Sequence, residues 1–160
     1  MKTLKPEHIT AITDTREQRP FFLDPMKSEP GTLQAGDYSV KGLTDLIAVE
    51  RKSLPDLVGC MTNGRERFER ELQRLRGYSS KVVVIESNWM ALVHGSYRSK
   101  LNSAAACHTI VSWTAKYSIP FLFLGDRQQA EDFTRYFLFS AVKRIYEYLH
   151  IPLGDMLKSA

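Results

Sequence analysis

The chain has 160 residues, 43% of them hydrophobic and 25% charged, with a formal net charge of +4 and a pI near 9.1. A chain of this length buries about 70% of its unfolded surface, enough for one core without disulfide or metal staples. Cys60 and Cys107 make no CxxC framework and are expected as buried thiols, and no apolar run has the length of a membrane span or a signal peptide, so an intracellular protein is expected.

The net charge conceals an uneven distribution. Residues 1–50 hold 6 Lys/Arg against 8 Asp/Glu, residues 51–100 hold 10 against 5, and residues 101–160 hold 6 against 5. A basic middle directly behind an acidic segment suits a polyanionic partner, although many basic proteins bind no nucleic acid.

After a lead-in over residues 1–9, the informative stretch runs from Gly36 to Asp56, GDYSVKGLTDLIAVERKSLPD. Asp37 to Val40 and Asp45 to Lys52 favour strands and Lys41 to Thr44 are turn-like, which predicts a hairpin. With a four-residue loop, position 37 lies opposite position 48. Period-two alternation then puts Asp37, Ala48, Glu50 and Lys52 on one face and Arg51 on the other. Two carboxylates about 4 Å apart repel by roughly 4 kcal/mol at an effective dielectric near 20, so such a pair calls for a cation. A hard divalent ion, Mg²⁺ or Mn²⁺, suits carboxylate and carbonyl oxygens and can activate water beside a phosphate, with Lys52 next to it. A surface hairpin with a Glu/Lys ion pair is the competing reading of the same spacing.

Ser53 to Asp56 opens a helix, with Ser53 as N-cap, Pro55 in the first turn and Asp56 at N3, so that Asp56 has a structural task of its own. This helix runs to about Met61 and breaks at Asn63-Gly64. A second runs from Arg65 to Arg76 with Phe68, Leu72 and Leu75 as its buried stripe. Arg65/Glu69, Arg67/Glu71 and Glu66/Arg70 are i,i+4 pairs of small value, leaving Arg74 and Arg76 as unpaired candidates for phosphate. Lys81 to Glu86 is a fully buried strand by its apolar run. Helical sequence to Tyr117 is interrupted by Gly95 to Lys100, where Tyr97, Arg98 and Lys100 combine an aromatic with two cations, a mix that meets bases and phosphates or is simply solvated. Ile119 to Leu124 is another buried strand. The helix from Gln129 to Leu149 carries Phe133, Tyr136, Phe137, Phe139, Tyr146 and Tyr148, more aromatics than one stripe buries, so they pack on the sheet or meet a second subunit. His8, His94, His108 and His150 fit no zinc spacing, and no phosphate-binding GxxxxGK[ST] loop calls for a nucleotide.

GDY followed by VERKSLPD resembles the nuclease motif of the XPF family of structure-specific DNA endonucleases, a branch of the PD-(D/E)xK restriction-nuclease-like fold. Ile12-Thr-Asp-Thr-Arg-Glu17 is similar to the family's apolar strand ending in an acid, Asn63-Gly-Arg65 to its helix-breaking turn, and Val82 to Glu86 and Ser118 to Gly125 to its core strands. The likeness spans residues 10–150, with 151–160 as a tail. It implies an α/β restriction-endonuclease-like fold, a mixed central sheet flanked by helices. It also implies metal-assisted hydrolysis of DNA phosphodiesters at branched or flap structures. The metal would sit on Asp37, Glu50 and the Arg51 carbonyl, with Asp14 completing the acidic cluster. Catalytic work would fall to Asp14, Asp37, Glu50 and Lys52, with Arg16, Glu17, Arg51, Asp56 and Arg65 in support. Arg65, Arg74, Arg76, Tyr97, Arg98 and Lys100 would contact DNA. Family members commonly work as dimers, which makes the aromatic C-terminal helix an expected homodimer interface.

Many members carry tandem helix-hairpin-helix or helicase modules, and the chain to Ala160 shows neither, so a minimal bacterial or viral nuclease, or a domain of something longer, is expected. Two other readings stay open: a catalytically inactive nuclease fold used as a DNA-binding scaffold, and a nuclease acting on RNA.

Overall fold

The structure is a computed structural model that describes residues 4–158, with side chains described to residue 149. Six strands form one sheet in the order β2-β1-β3-β4-β5-β6: β1 Thr10–Asp14, β2 Lys27–Gly31, β3 Tyr38–Val40, β4 Ile47–Lys52, β5 Ser80–Ile85 and β6 Phe121–Phe123. The central pairs β1·β3 and β3·β4 are antiparallel and the flanking pairs parallel, so the sheet is mixed as expected. The edge strand β2 has no counterpart in the sequence reading. Its sequence KSEPG is exposed, lacks β-branched residues and contains Pro30, a composition suited only to a sheet edge.

The helices are α1 Leu54–Met61, α2 Arg65–Arg76, α3 Trp89–Val93, α4 Ser103–Tyr117 and α5 Arg127–Lys158. Alternation along the strands divides the core. Ala48, Val83 and Ile85 pack with Leu57, Leu72, Leu75 and Trp113 of α1, α2 and α4. Ile47, Val49, Val82 and Val84 pack on the other face with Phe21, Leu23, Tyr38 and Leu138 of α5. The turn between α1 and α2 is drawn tight by the Gly64 amide, which donates to the Gly59 carbonyl at 3.0 Å.

Three expectations are corrected. The β3–β4 loop spans residues 41–46, closed by two successive turns in which Leu43 donates to Val40 and Leu46 to Leu43. Tyr38 therefore faces Val49, a register two residues from the expected one. A shift of two preserves the faces, so the predicted grouping of side chains stands. Cys60 is buried, but Cys107 is only half-buried. Helix α5 begins at Arg127 and its backbone continues to Lys158, past Leu149. Phe133, Phe137 and Phe139 pack against the sheet core, whereas Tyr136 and Tyr148 are exposed.

Candidate active site

The three central strands end side by side and present Asp14, Asp37, Glu50 and Lys52 on the face covered by α1 and α2. Asp37 is fixed through its backbone: its amide donates to the Val49 carbonyl at 2.8 Å, and its carbonyl accepts from the Asp14 amide at 2.8 Å. Gly36 precedes it at φ +79°, and a Cβ there would lie 3.0 Å from the Val49 oxygen, so only glycine lets the chain approach β4 this closely. The Gly36 amide donates to Glu71 Oε1 at 3.0 Å, tying the turn to α2. One Asp37 oxygen, Oδ2, accepts from the Arg51 amide at 2.7 Å.

Glu50 is buried and its Oε1 accepts from Lys52 Nζ, two residues on along the same strand face. Lys52 lies against the Phe68 ring, its ammonium 5.2 Å from the centroid. Burial raises the Glu50 carboxyl to about 8, reinforced by the negative charge of Asp37 and opposed by Lys52. Asp37 is raised for the same leading reason, desolvation. Burial pulls Lys52 down, but the Glu50 charge and hydrogen bond outweigh it, so its ammonium is held above the ordinary lysine range.

Two carboxylates thus share one lysine, and Asp37 Oδ1 and Glu50 Oε2 have no hydrogen-bond partner among the described residues. A third oxygen lies on the same side of β4 by strand alternation. The Glu86 amide donates to the Lys52 carbonyl, so residue 52 directs its backbone groups to β5. By alternation Arg51 directs its own N–H and C=O to the β3 side, where the N–H meets Asp37. Among the described residues no three or more His, Cys, Asp or Glu form a metal cage. Two carboxylates and a carbonyl nevertheless suit Mg²⁺ or Mn²⁺, which keep several waters and are held by few protein oxygens. Once Glu50 is deprotonated two carboxylates face one ammonium, and a cation of that kind would offset the excess charge.

The Arg51 side chain occupies the opposite face. Its Nε bonds Glu86 Oε1 at 2.6 Å and its NH1 bonds Glu17 Oε1 at 3.1 Å, with the guanidinium 5.5 Å from the Phe21 centroid. Arg127 also reaches Glu86, at 3.6 Å, and approaches the same ring. This network clamps β4 and β5 together behind the carboxylates, and Glu17 is part of it.

Asp14 is saturated. Its Oδ1 accepts from the Arg16 amide and Nε at 2.9 and 2.7 Å, and its Oδ2 accepts from the Leu33 amide at 2.8 Å and Arg16 NH2 at 3.1 Å. Burial would raise this carboxyl, but the Arg16 and Leu33 bonds prevail and hold it below the usual carboxylate range. The acid brought beside Asp37 therefore supports the strand ends and leaves no oxygen for a cation. Arg16 extends into solvent from this anchor.

Ser53 caps α1 as expected: its hydroxyl accepts from the Asp56 amide at 3.2 Å and donates to Asp56 Oδ2 at 2.6 Å. Arg65 is turned elsewhere, paired with Glu69 at 3.3 Å and lying 5.4 Å from the Trp113 centroid, joined to Lys52 only through the Trp113 and Phe68 rings. Arg74 is not unpaired, because it bonds Glu71. Arg76 is exposed on the last turn of α2. Tyr97 is half-buried with its hydroxyl donating to the Leu101 carbonyl at 3.0 Å, while Arg98 and Lys100 are exposed.

Two residues that the sequence reading paired only with each other, Arg67 and Glu71, form no such ion pair among the described residues, and Glu71 bonds Arg74 instead. Glu71 adds a third negative charge beside Glu50 and anchors Gly36, and Arg67 lines a pocket together with Lys52. Glu71 precedes the buried Leu72 on α2, a boundary position between stripe and surface that signals its reach toward the site.

A family model described as ERCC4 domain matches residues 13–137. Among solved structures, the fold is similar to XPF from Aeropyrum pernix, with a TM-score of 0.65 and 20% identity over 93% of this chain and 73% of that one. It is also similar to XPF from Aeropyrum pernix in complex with DNA, with a TM-score of 0.61 and 21% identity over 87% of this chain and 66% of that one. The fold likeness covers most of this chain, and the family match takes in every residue of the acidic centre: the chain belongs to the ERCC4 domain family.

Proposed function

We propose that this chain is an Mg²⁺- or Mn²⁺-dependent endonuclease that hydrolyses DNA phosphodiesters at branched or flap structures. The observation that carries the reading is the pair of carboxylates, half-buried Asp37 and buried Glu50, which share one lysine and each keep an uncommitted oxygen. Those two groups and the Arg51 carbonyl would hold the metal. When bound, the metal supplies Lewis-acid polarisation of a phosphoryl oxygen and a lowered pKa for the attacking water. Lys52, kept charged by Glu50, orients that water and stabilises the negative charge developing on phosphorus oxygens. Asp14 positions the strand ends, Arg16 meets the phosphate backbone, and Glu17 and the Arg51 guanidinium hold β4 in place. The DNA complex of the similar XPF structure supports DNA as the substrate.

The test incubates the protein with labelled 3′-flap, fork, linear duplex, single-stranded and RNA substrates in Mg²⁺, Mn²⁺ or EDTA. Metal-dependent cleavage of the branched DNAs is expected. Cleavage of RNA alone would overturn the DNA assignment. Cleavage of nothing would leave the fold as a DNA-binding scaffold.

The homodimer belongs to the same proposal. Helix α5 leaves Tyr148 and Leu149 exposed beside Leu46 and Ile145, an apolar patch at one end of the sheet that a second copy would cover.

A further inference from the structure

A groove leaves the catalytic centre and crosses α1. Its first section, about 370 Å³, is lined by Lys52, Asp56, Gly59, Gly64 and Arg67. Its second, about 420 Å³, is lined by Gly59, Thr62, Tyr97 and Arg98. Pro55 and Gly59 border both sections, so the two adjoin on the exposed side of α1. We propose that this groove seats a single-stranded arm of the DNA substrate, leading it from Lys52 over Gly59 to the Tyr97–Arg98 loop. The proposal rests on the nuclease reading above and adds to it the strand state of the DNA beside the cut.

Five observations support a single strand as the occupant. The groove begins at Lys52, so a chain lying in it is continuous with the phosphate at the carboxylates. Its cations, Arg67 and Arg98, enter no ion pair among the described residues, while the Asp56 carboxylate is engaged by the Ser53 hydroxyl. Each section has the volume of a small-molecule pocket, in the range of about 300–1,000 Å³. A section of that size seats a nucleotide or two at a time, the scale of a single strand. A charged track ending at a fixed aromatic is the arrangement by which proteins hold single strands, the ring stacking on a base. Here the Tyr97 hydroxyl bond to Leu101 fixes the ring at the far end.

The fifth observation is the floor. Gly59 lies inside α1, exposed, at an ordinary helical φ, and a Cβ added there would meet nothing within 4 Å. Neither packing nor backbone conformation requires glycine, which costs a helix about 1 kcal/mol relative to alanine. What its missing side chain provides is clearance between Arg67 and Arg98 for a sugar-phosphate chain.

The same clearance makes the test clean, since a side chain at position 59 fills the groove without disturbing the core. Binding of a fluorescent oligothymidylate of about 12 nucleotides, within the usual site sizes of single-strand binders, is measured by anisotropy in EDTA. Urea midpoints establish that each variant folds. Gly59→Trp is expected to weaken binding about tenfold or more, the equivalent of one lost base stack. Arg98→Ala, on an exposed loop, is expected to lower the slope of log affinity against log salt by about 0.7, one phosphate contact on a single strand. Cleavage of a fork should then fall relative to a nicked duplex without free arms. Wild-type affinity and salt slope in both folded variants would overturn the groove. So would branched-DNA cleavage by a wild-type protein that binds no oligothymidylate. Binding that depends on Gly59 and Arg98 in a protein that cleaves nothing would sustain the groove and remove the nuclease reading instead.

Discussion

At Glu50 and Asp14 two buried carboxyls are displaced in opposite directions, and each displacement has its own pH signature. Glu50 is raised from 4.5 to about 8 by burial and Asp37. Between those values the metal-free folded state keeps a proton that the unfolded chain has released, so stability falls as pH rises through the window. The urea midpoint of the metal-free protein should therefore drop from about pH 5 to about pH 8, and Glu50→Gln should flatten that drop. An equal drop in the variant would assign the slope to another group. Mg²⁺ should raise the midpoint more at the alkaline end, where the ligand is already deprotonated. Asp14 is lowered below 3.8 once the Arg16 and Leu33 bonds outweigh its burial. Its contribution is fully present above the unfolded value and is lost as pH falls through the folded one. Asp14→Ala strands the buried Leu33 amide and should cost about 1–3 kcal/mol at neutral pH, with the deficit shrinking only in acid. In catalysis, Asp37→Asn and Lys52→Ala should each reduce cleavage at least 10²- to 10³-fold, roughly the effect of one removed electrostatic group, with DNA binding in EDTA largely retained. Wild-type rates in either would place the chemistry elsewhere.

The turn before β3 shows how elements set that geometry. Gly36 combines a positive φ with an approach of 3.0 Å to the Val49 oxygen, and its amide is held by Glu71 from α2. Gly36→Ala should cost about 1–3 kcal/mol of stability through the left-handed strain. It should lower cleavage by more than that loss explains, because Asp37 moves with the turn, and comparing kcat with the urea midpoint of the same preparation separates the two effects. What the sequence revealed follows the same physics. Period-two alternation survives any even register shift, so Asp37, Glu50 and Lys52 were legible on one face although the loop proved two residues longer than its turn-like core. The Ser53 cap and the Gly64 break were legible because each is decided within four residues. Glu71 was not, since its partner Gly36 lies 35 residues away on another element, nor was Arg65's preference for Trp113 on α4. β2 was hidden because an exposed edge strand with a proline carries no apolar period at all.

For the whole molecule, the division of the sheet into two faces decides how copies can assemble. The carboxylates, the α1 groove and α2 occupy one face, whereas α5 covers the other, so a partner docked on the end of α5 leaves the acidic centre open. The patch of Leu46, Ile145, Tyr148 and Leu149, edged by Arg144 at 5.5 Å from the Tyr148 centroid, lies where the helix overhangs the start of β4 and β5. Self-association there would bury Tyr148, now 65% exposed, and Leu149, now 59% exposed, with Tyr148 as the aromatic anchor of the kind that carries much of the energy of an interface. Tyr148→Glu places a charge in that contact without touching the core. Sedimentation velocity should show the wild type moving from monomer to dimer with concentration, and Tyr148→Glu should remain monomeric at an unchanged thermal midpoint. A variant that dimerises as well as the wild type would move the interface away from α5. A wild type that stays monomeric at every concentration would leave the exposed aromatics of this helix without a second copy to cover them.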